Sequence, residues 1–383
     1  MSNFITEEQE LMRQVAREFA TQEVEPRAIA IDKYDEFPAD LVKRAAELNF
    51  FGLMIPEQYG GLGSDITTTC LVLEEIAKAS PALAGFLSVQ IALCPVAVNL
   101  AGTEAQKQKY LPPSARGEGL MALSQTEPSG VGNLPAHQTT LTADGDGYRL
   151  NGLKIFCTQG SATVYLVSTK TTLNGQDGYG EVIVEKGMPG FEIGKYEEKL
   201  GWRGSQTGTI LFKDVFIPKE NVLGGLLTGN QDIGLGGLSG NLGHSASSLG
   251  CAEGLLAKTI KYTKERNLYG VPMHMLQPIG YRLADAHAKI EACRSLLYTT
   301  CRLFDEYRFD PNMVMATKVY VCETAKDVCD SLLQMWGGSG IMNDVGVNRY
   351  LRDARTNTIA EGASEILMSG IAQSILQREA VFA

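Results

Sequence analysis

At 383 residues the chain has room for two or three domains of roughly 150 residues each, and its 44% hydrophobic and 20% charged residues favour collapse around a sizeable core over disorder. Lys+Arg 34 against Asp+Glu 44 leaves a net charge of -10, a field that repels phosphate and disfavours a general nucleic-acid or anionic-membrane surface. No run is expected to reach the roughly 18 to 20 apolar residues of a membrane span, and the opening MSNFITEEQE lacks the basic-then-apolar pattern of an export signal. Eight cysteines, none spaced as CxxC, fall mostly among apolar residues and suggest reduced core thiols in a cytoplasmic protein.

Residues 1–119 are expected to be helical. Thr6 and Gln9 have capping-box spacing ahead of an apolar stripe at Leu11, Val15 and Phe19, with Pro26 ending the run. A second helix near 38–49 carries Leu41, Val42, Ala45 and Leu48, a glycine-containing loop spans 57–63, and more helix is predicted over 65–110. From about residue 120 the period becomes alternating. Tyr148–Phe156, Thr163–Ser168, Glu181–Glu185 and Thr209–Ile217 are predicted strands, with a hairpin turn at Asp146-Gly147, so 120–224 should form a small antiparallel barrel or sandwich. Residues 225–383 should be a helical bundle, its helices following a glycine-rich stretch at 224–243. Their stripes run Leu249–Thr263, Ile279–Phe304 and Met315–Trp336. The surplus of glycine at 224–243 and 337–346 points to close backbone approach there.

Metal sites are unsupported, because His137, His244, His274 and His287 lack ligand spacing; His287, beside an apolar stripe, suggests a structural histidine. Nor is there a GxSxG elbow, a P-loop or a GxGxxG after a strand.

Five stretches, in order from end to end, resemble the acyl-CoA dehydrogenase flavoprotein family. They are Ser124–Pro128 (SQTEP), Leu150–Thr158 (LNGLKIFCT), Lys199–Ser205 (KLGWRGS), Lys264–Gly270 (KERNLYG), and Arg352–Arg355 (RDAR) running on to Ile359–Gly362 (IAEG). The resemblance implies an N-terminal helical domain, a central β-domain and a C-terminal four-helix bundle. It also implies non-covalent FAD, a tetramer built from dimers, and loss of the α-proton and β-hydride of an acyl-CoA thioester, with electrons leaving to an electron-transferring flavoprotein.

By that resemblance Glu361 is the catalytic base; outside it, Glu361-Gly362 could equally cap the helix predicted over 364–377. A thioester α-proton is too weakly acidic for a solvated carboxylate, so the site must be dry and must stabilise the developing enolate. The resemblance assigns that stabilisation to a flavin ribityl hydroxyl and the Glu361 N–H. It places Gln125, Thr126, Phe156 and Thr158 around the isoalloxazine, and Arg266, Tyr269 and Gln277 across a dimer on the FAD pyrophosphate and adenosine. Gln334, Gly337 and Gly338 match the glycine turn on the ADP half, and Ala363 and Glu365 also fall at cofactor positions. Gly132, Asn241, Glu361 and Gly362 fall at substrate positions, Gly132 touching the cofactor too.

Departures from the family pattern are informative. Gly132-Asn133 replaces a Ser-Asp pair, Asn241 replaces an arginine, and Gly240 occupies the position from which some branched-chain members project their base. Ala360 replaces an aromatic and Ala363 a threonine, which opens roughly 100 Å³ beside the α-carbon and suggests a branched, cyclic or aryl acyl group. The same site could run as an enoyl-CoA reductase or an oxidase, and a flavin-binding homologue without turnover is the rival of a different class.

Overall fold

The computed structural model describes residues 5–130, 136–158, 162–173, 175–227 and 231–377. The first part is helical: α1 (Glu7–Phe19), α2 (Ala28–Tyr34), α3 (Ala39–Glu47), α4 (Ile66–Ala79), α5 (Pro81–Ser88), α6 (Cys94–Ala101) and α7 (Glu104–Ala115). The capping box forms as expected: Thr6 Oγ1 accepts from the Gln9 N–H while the Gln9 side chain accepts from the Thr6 N–H. Two details differ. Leu11 is exposed, and Ala16 and Phe19 carry the buried face. Pro26 does not end the run, because a π-turn at Ala20–Val24 and a 3-10 turn at Glu25–Arg27 lead into α2; the proline sits in a first turn, where its missing N–H has no intrahelical partner to lose.

The helix predicted over 65–110 is broken into α4, α5, a π-turn at Val89–Leu93, α6 and the start of α7. Pro81–Ala101 is, against expectation, long and apolar enough to cross a membrane, with a mean hydropathy of 1.8, yet 89% of its most apolar window is buried inside the protein. Apolar side chains on every face match burial on every face, which makes this a core helix.

Strands β1 (Met121–Ser124), β2 (Thr140–Asp144), β3 (Gly147–Thr158), β4 (Val164–Leu173), β5 (Gln176–Glu185), β6 (Phe191–Tyr196), β7 (Thr207–Pro218) and β8 (Val222–Leu223) form one sheet, ordered β6-β7-β3-β2-β4-β5-β8 with β1 on β4. It is mainly antiparallel, with β1–β4 and β2–β4 parallel. The β2–β3 turn is Gly145-Asp146, one residue earlier than expected, because Asp144 pairs with Gly147. Both faces of β4 are buried. Tyr165 and Val167 join a cluster with Leu150, Ile210 and Phe212, while Val164 and Leu166 pack with Cys94, Ala97 and Leu111 from the helices. Period-two alternation sorts one apolar run onto two interfaces.

The chain then forms α8 (Gln231–Glu265), a small hairpin, α9 (Gln277–Asp305), α10 (Pro311–Met335), α11 (Asn348–Asn357) and α12 (Ser364–Gln377). The glycine-rich stretch does not precede α8; from residue 231 it lies within it. At Gly250 a Cβ would stand 2.1 Å from the Glu74 carbonyl of α4, so these helices touch backbone to backbone. One apolar core consequently runs from Phe19 and Ile76 through Leu249 to Leu297 and Leu332, joining the first and last thirds. The α9 stripe is buried as predicted from Ala286 to Cys301. On α10 the buried face is turned by about one residue from the prediction, through Val314, Val321, Ala325, Val328 and Leu332, which leaves Met315, Val319 and Leu333 at its edge. Ile260 is exposed, and so is His287. All eight cysteines are buried and unpaired.

Two buried ion pairs fix this frame. Arg294 on α9 pairs with Glu74 on α4 and, at 2.7 Å, with Glu253 on α8; Tyr298 also donates to Glu74. In the β-domain the fully buried Lys154 of β3 donates to Glu127 Oε1 at 2.8 Å and to the Gln125 carbonyl at 3.1 Å. Glu127 also accepts from the N–H groups of Gln138 and Thr139. Burial pushes the Glu127 carboxyl up, but Gln138, Lys154 and Thr139 outweigh it and hold it down at about 2.

Removing one partner of a buried pair strands the other charge, so Arg294→Met should cost about 3–5 kcal/mol in denaturant unfolding; a loss below about 1 kcal/mol would show that Glu74 finds another partner. A carboxyl held below its ordinary value stabilises the fold above that value and releases the stabilisation as pH falls toward 2. Glu127→Gln should therefore lose less melting temperature than the unsubstituted protein between about pH 5 and about pH 3.

Candidate active site

A cavity of about 820 Å³ lies between the sheet and the helices, within the range of small-molecule sites. Gln125, Thr126, Phe156 and Thr158 line it from the β-domain, Trp202 from the β6–β7 loop, Asn241 from α8, and Glu361, Gly362 and Ala363 from the α11–α12 turn.

The β-wall is shaped by a bulge. Lys154 pairs with Ile210 of β7 and Cys157 with Gly208, so three steps on β3 oppose two on β7. Phe156 takes up the difference at φ +56, and its side chain, 61% exposed, is turned onto the cavity. Gln125 and Thr126 are held as a loop: Lys154 binds the first carbonyl, and the Ile155 N–H binds the second at 2.9 Å.

The opposite wall depends on residues about 150 positions apart. The buried Trp202 sits at φ +54, with its N–H on Asp353 Oδ1 at 2.6 Å and its indole N–H on Asn357 Oδ1 at 3.0 Å. Burial raises the Asp353 carboxyl to about 6, against the Trp202 N–H that favours its charge. The Lys199–Ser205 and Arg352–Arg355 stretches are thus two halves of one clamp.

Glu361 follows α11 with φ +53, an uncommon conformation for a residue with a side chain. The turn that imposes it is pinned on both sides: the buried Lys318 of α10 donates to the Gly362 carbonyl at 2.6 Å, and Ser364 donates to Glu323 at 2.7 Å. The side chain is 12% exposed, with both carboxylate oxygens out of water and without a hydrogen-bond partner. It does not cap α12. It packs against Gly240 of α8, where an added Cβ would stand 2.6 and 2.7 Å from the two oxygens. The absent side chain at 240 is the space the carboxylate fills. Among the described residues no backbone carbonyl accepts from the Glu361 N–H. Glu197 and Glu198 also line the cavity, but the first is half-buried and the second exposed.

Eight of the residues singled out in the sequence meet here: Gln125, Thr126, Phe156, Thr158, Asn241, Glu361, Gly362 and Ala363. Arg266, Tyr269, Gln277, Gln334, Gly337, Gly338 and Glu365 do not line the cavity and are exposed elsewhere on the same chain. Gly132 and Asn133 lie outside the described residues. The sequence alone missed His244, whose Nε2 lies 2.7 Å from Glu361 Oε2. Its signal was available: it follows Gly240 by four positions, which in a helix places it on the same face.

Comparisons with known proteins identify the family. The chain matches the acyl-CoA dehydrogenase N-terminal domain over residues 6–118, the middle domain over 122–215 and the C-terminal domain over 239–376. It is 37% identical to the short-chain-specific acyl-CoA dehydrogenase of Clostridium acetobutylicum, over 94% of this chain and 96% of the relative. It is 35% identical to a 3-(aryl)acrylate reductase of Clostridium sporogenes, over 98% and 100%. The structure of butyryl-CoA dehydrogenase from Megasphaera elsdenii superposes with a TM-score of 0.93 at 33% identity, covering 97% of this chain and 99% of that one. The chain belongs to the acyl-CoA dehydrogenase family, a family of flavoproteins.

Proposed function

We propose that this chain catalyses FAD-dependent α,β-dehydrogenation of an acyl-CoA thioester with Glu361 as the base, and that its acyl group is branched, cyclic or aryl. One observation carries the assignment of the base: of the carboxylates lining the cavity, Glu361 alone has both oxygens dry and unpartnered. A carboxylate with neither water nor a donor on its oxygens has both free to accept a proton from the α-carbon.

The residues present fit a flavin. Phe156 offers an aromatic face that its own fold leaves 61% exposed, and Gln125, Thr126 and Thr158 bring polar atoms to the same wall. These four would hold the isoalloxazine, which supplies a two-electron acceptor for the β-hydride. Glu361 takes the α-proton at a carboxylate oxygen, and its backbone N–H is available to the thioester oxygen, where charge accumulates. Trp202 and Phe156 keep water from the reacting face. Arg266, Tyr269 and Gln277, exposed in one copy, would serve the pyrophosphate and adenosine of a second copy's FAD within a homotetramer, and an electron-transferring flavoprotein would be the redox partner.

Ala360 and Ala363 both line the cavity, and with Gly240 they leave small side chains around the base. That favours bulk near the α-carbon, and the aryl acrylate handled by the Clostridium sporogenes relative is chemistry of this kind. A reductase reading draws on the same relative: run in reverse, Glu361 returns the proton to the α-carbon, and the donor's potential sets the direction.

Glu361→Gln should retain FAD but lose substrate-dependent flavin bleaching by about 10²- to 10⁴-fold, the usual weight of a general base; anaerobic stopped-flow absorbance checks it, and bleaching at an unchanged rate removes the base from 361. Gly240→Ala should displace the carboxylate and lower kcat by at least about tenfold, while thermal stability holds or rises because alanine favours a helix. In a panel of thioesters, bulky branched, cyclic or aryl acyl-CoAs should bleach the flavin faster than butyryl- or octanoyl-CoA; the opposite order removes the proposed acyl class.

A further inference from the structure

The base has a companion that the chemistry so far has not used. His244 lies one turn after Gly240 on α8, with its side chain 1% exposed and its ring 5.2 Å from that of Trp202. Its Nε2 is 2.7 Å from Glu361 Oε2, yet the N–H is not aligned on the oxygen, and neither ring nitrogen nor either carboxylate oxygen has a hydrogen-bond partner. An imidazole and a carboxylate both stripped of water are costly to keep. Among the described residues each is the other's only ion-pair contact, and a small rotation of either turns that contact into a charge-assisted hydrogen bond.

We propose that His244 is the positioning residue of Glu361: the two side chains share one proton, titrate as a pair, and hold the carboxylate ionised over Gly240 until substrate arrives. The inference rests on Glu361 being the base. Physically, a dry carboxylate resists ionisation, and an imidazolium at 2.7 Å opposes that resistance. When an oxygen of Glu361 takes a proton from the α-carbon, the C–H bond breaks and the O–H bond forms; the imidazolium keeps its own proton, and the carboxylate is regenerated when the carboxylic acid gives its proton up after turnover.

The other titratable groups around the pair are accounted for. Burial, with the Glu361 charge adding to it, pushes the Cys94 thiol on α6 well up and keeps it neutral, and Lys318 on α10 is committed to the Gly362 carbonyl. On α11, Asp353 is bound to Trp202, while Arg355 lines the cavity and donates to Thr358. Lys199 donates to the Ser205 carbonyl, and Glu197 and Glu198 stand at the more exposed part of the cavity. Among the described residues His244 makes the only ion-pair contact to Glu361.

The test uses the FAD-loaded protein with His244→Gln and His244→Val, and Glu361→Gln as the reciprocal variant. The pH profile of kcat/KM should show an acidic limb that moves up by about one unit or more in His244→Val, a tenfold change in the base's protonation constant. His244→Gln keeps a neutral donor and should fall between. Independently of turnover, imidazole NMR in a chain with only four histidines should show the His244 titration midpoint falling by about one unit in Glu361→Gln, where its anionic partner is gone. An unmoved acidic limb with a uniform drop in kcat, or an unmoved His244 midpoint, overturns the pairing and leaves His244 as packing. If Glu361→Gln still bleaches flavin, the base assignment itself fails; if bleaching is lost but neither titration shifts, only the pairing fails.

Discussion

The site depends on keeping a carboxylate dry next to a helix backbone. Glu361 reaches that position because three constraints agree. The α11–α12 turn puts it at φ +53, Lys318 and Glu323 pin the residues that follow, and Gly240 leaves the gap that the oxygens fill. A left-handed conformation at a non-glycine residue costs on the order of 1–3 kcal/mol, and it persists because the surrounding packing over-determines it. Phe156 and Trp202 share that conformation at the same cavity. Three aromatic or acidic side chains are each turned out of the ordinary run of their backbone toward one volume.

This geometry also explains why the chain is built from thirds that do not pack separately. α8 lies against α4 along backbone-close glycines and against α10 on another side. The helix that offers Gly240 and His244 is therefore held by the N-terminal helices as much as by its own bundle. The very apolar stretch from Pro81 to Ala101 backs the cavity through Val89 and Leu93 and supports the sheet through Cys94 and Ala97. A single core spanning the first and last thirds means that a disturbance in α4 or α9 reaches Glu361 through α8.

Much of the architecture was legible because the signals were local. A capping box at Thr6 and Gln9, β-branched alternation along β3 and β7, and a long apolar stripe on α9 each report on one element, and each formed. Where the sequence misled, the deciding contact lay elsewhere in the fold. The glycines after 230 look like loop until α4 and Glu361 are seen filling their missing side chains. The α10 stripe turns by a residue because a buried lysine, Lys318, belongs to the inner face that binds Gly362. In the site, resemblance located eight cavity residues, yet His244 escaped notice. Its four-residue spacing from Gly240 is readable only once that glycine-rich stretch is known to be helix, and its partner is more than a hundred residues away. His287, given a structural role for lying beside an apolar stripe, is exposed; neighbours in sequence are a weak guide to which face of a helix a polar ring occupies.

The buried polar contacts then have a common logic. Glu127 with Lys154, Asp353 with Trp202, and Lys318 with the Gly362 carbonyl each join a loop at the cavity to a regular element. Such contacts add little net stability, since desolvation offsets much of the attraction, but leaving one unmade is expensive. Their effect is therefore selective: of the conformations open to the 125–130 loop, the 199–205 loop and the 358–363 turn, only the one that satisfies its buried partner is tolerated. The pair left without aligned hydrogen bonds, His244 and Glu361, stands out against that rule. The Asn241 side-chain oxygen, also at the cavity, is buried without a partner as well, so open polar atoms meet where α8 faces the α11–α12 turn.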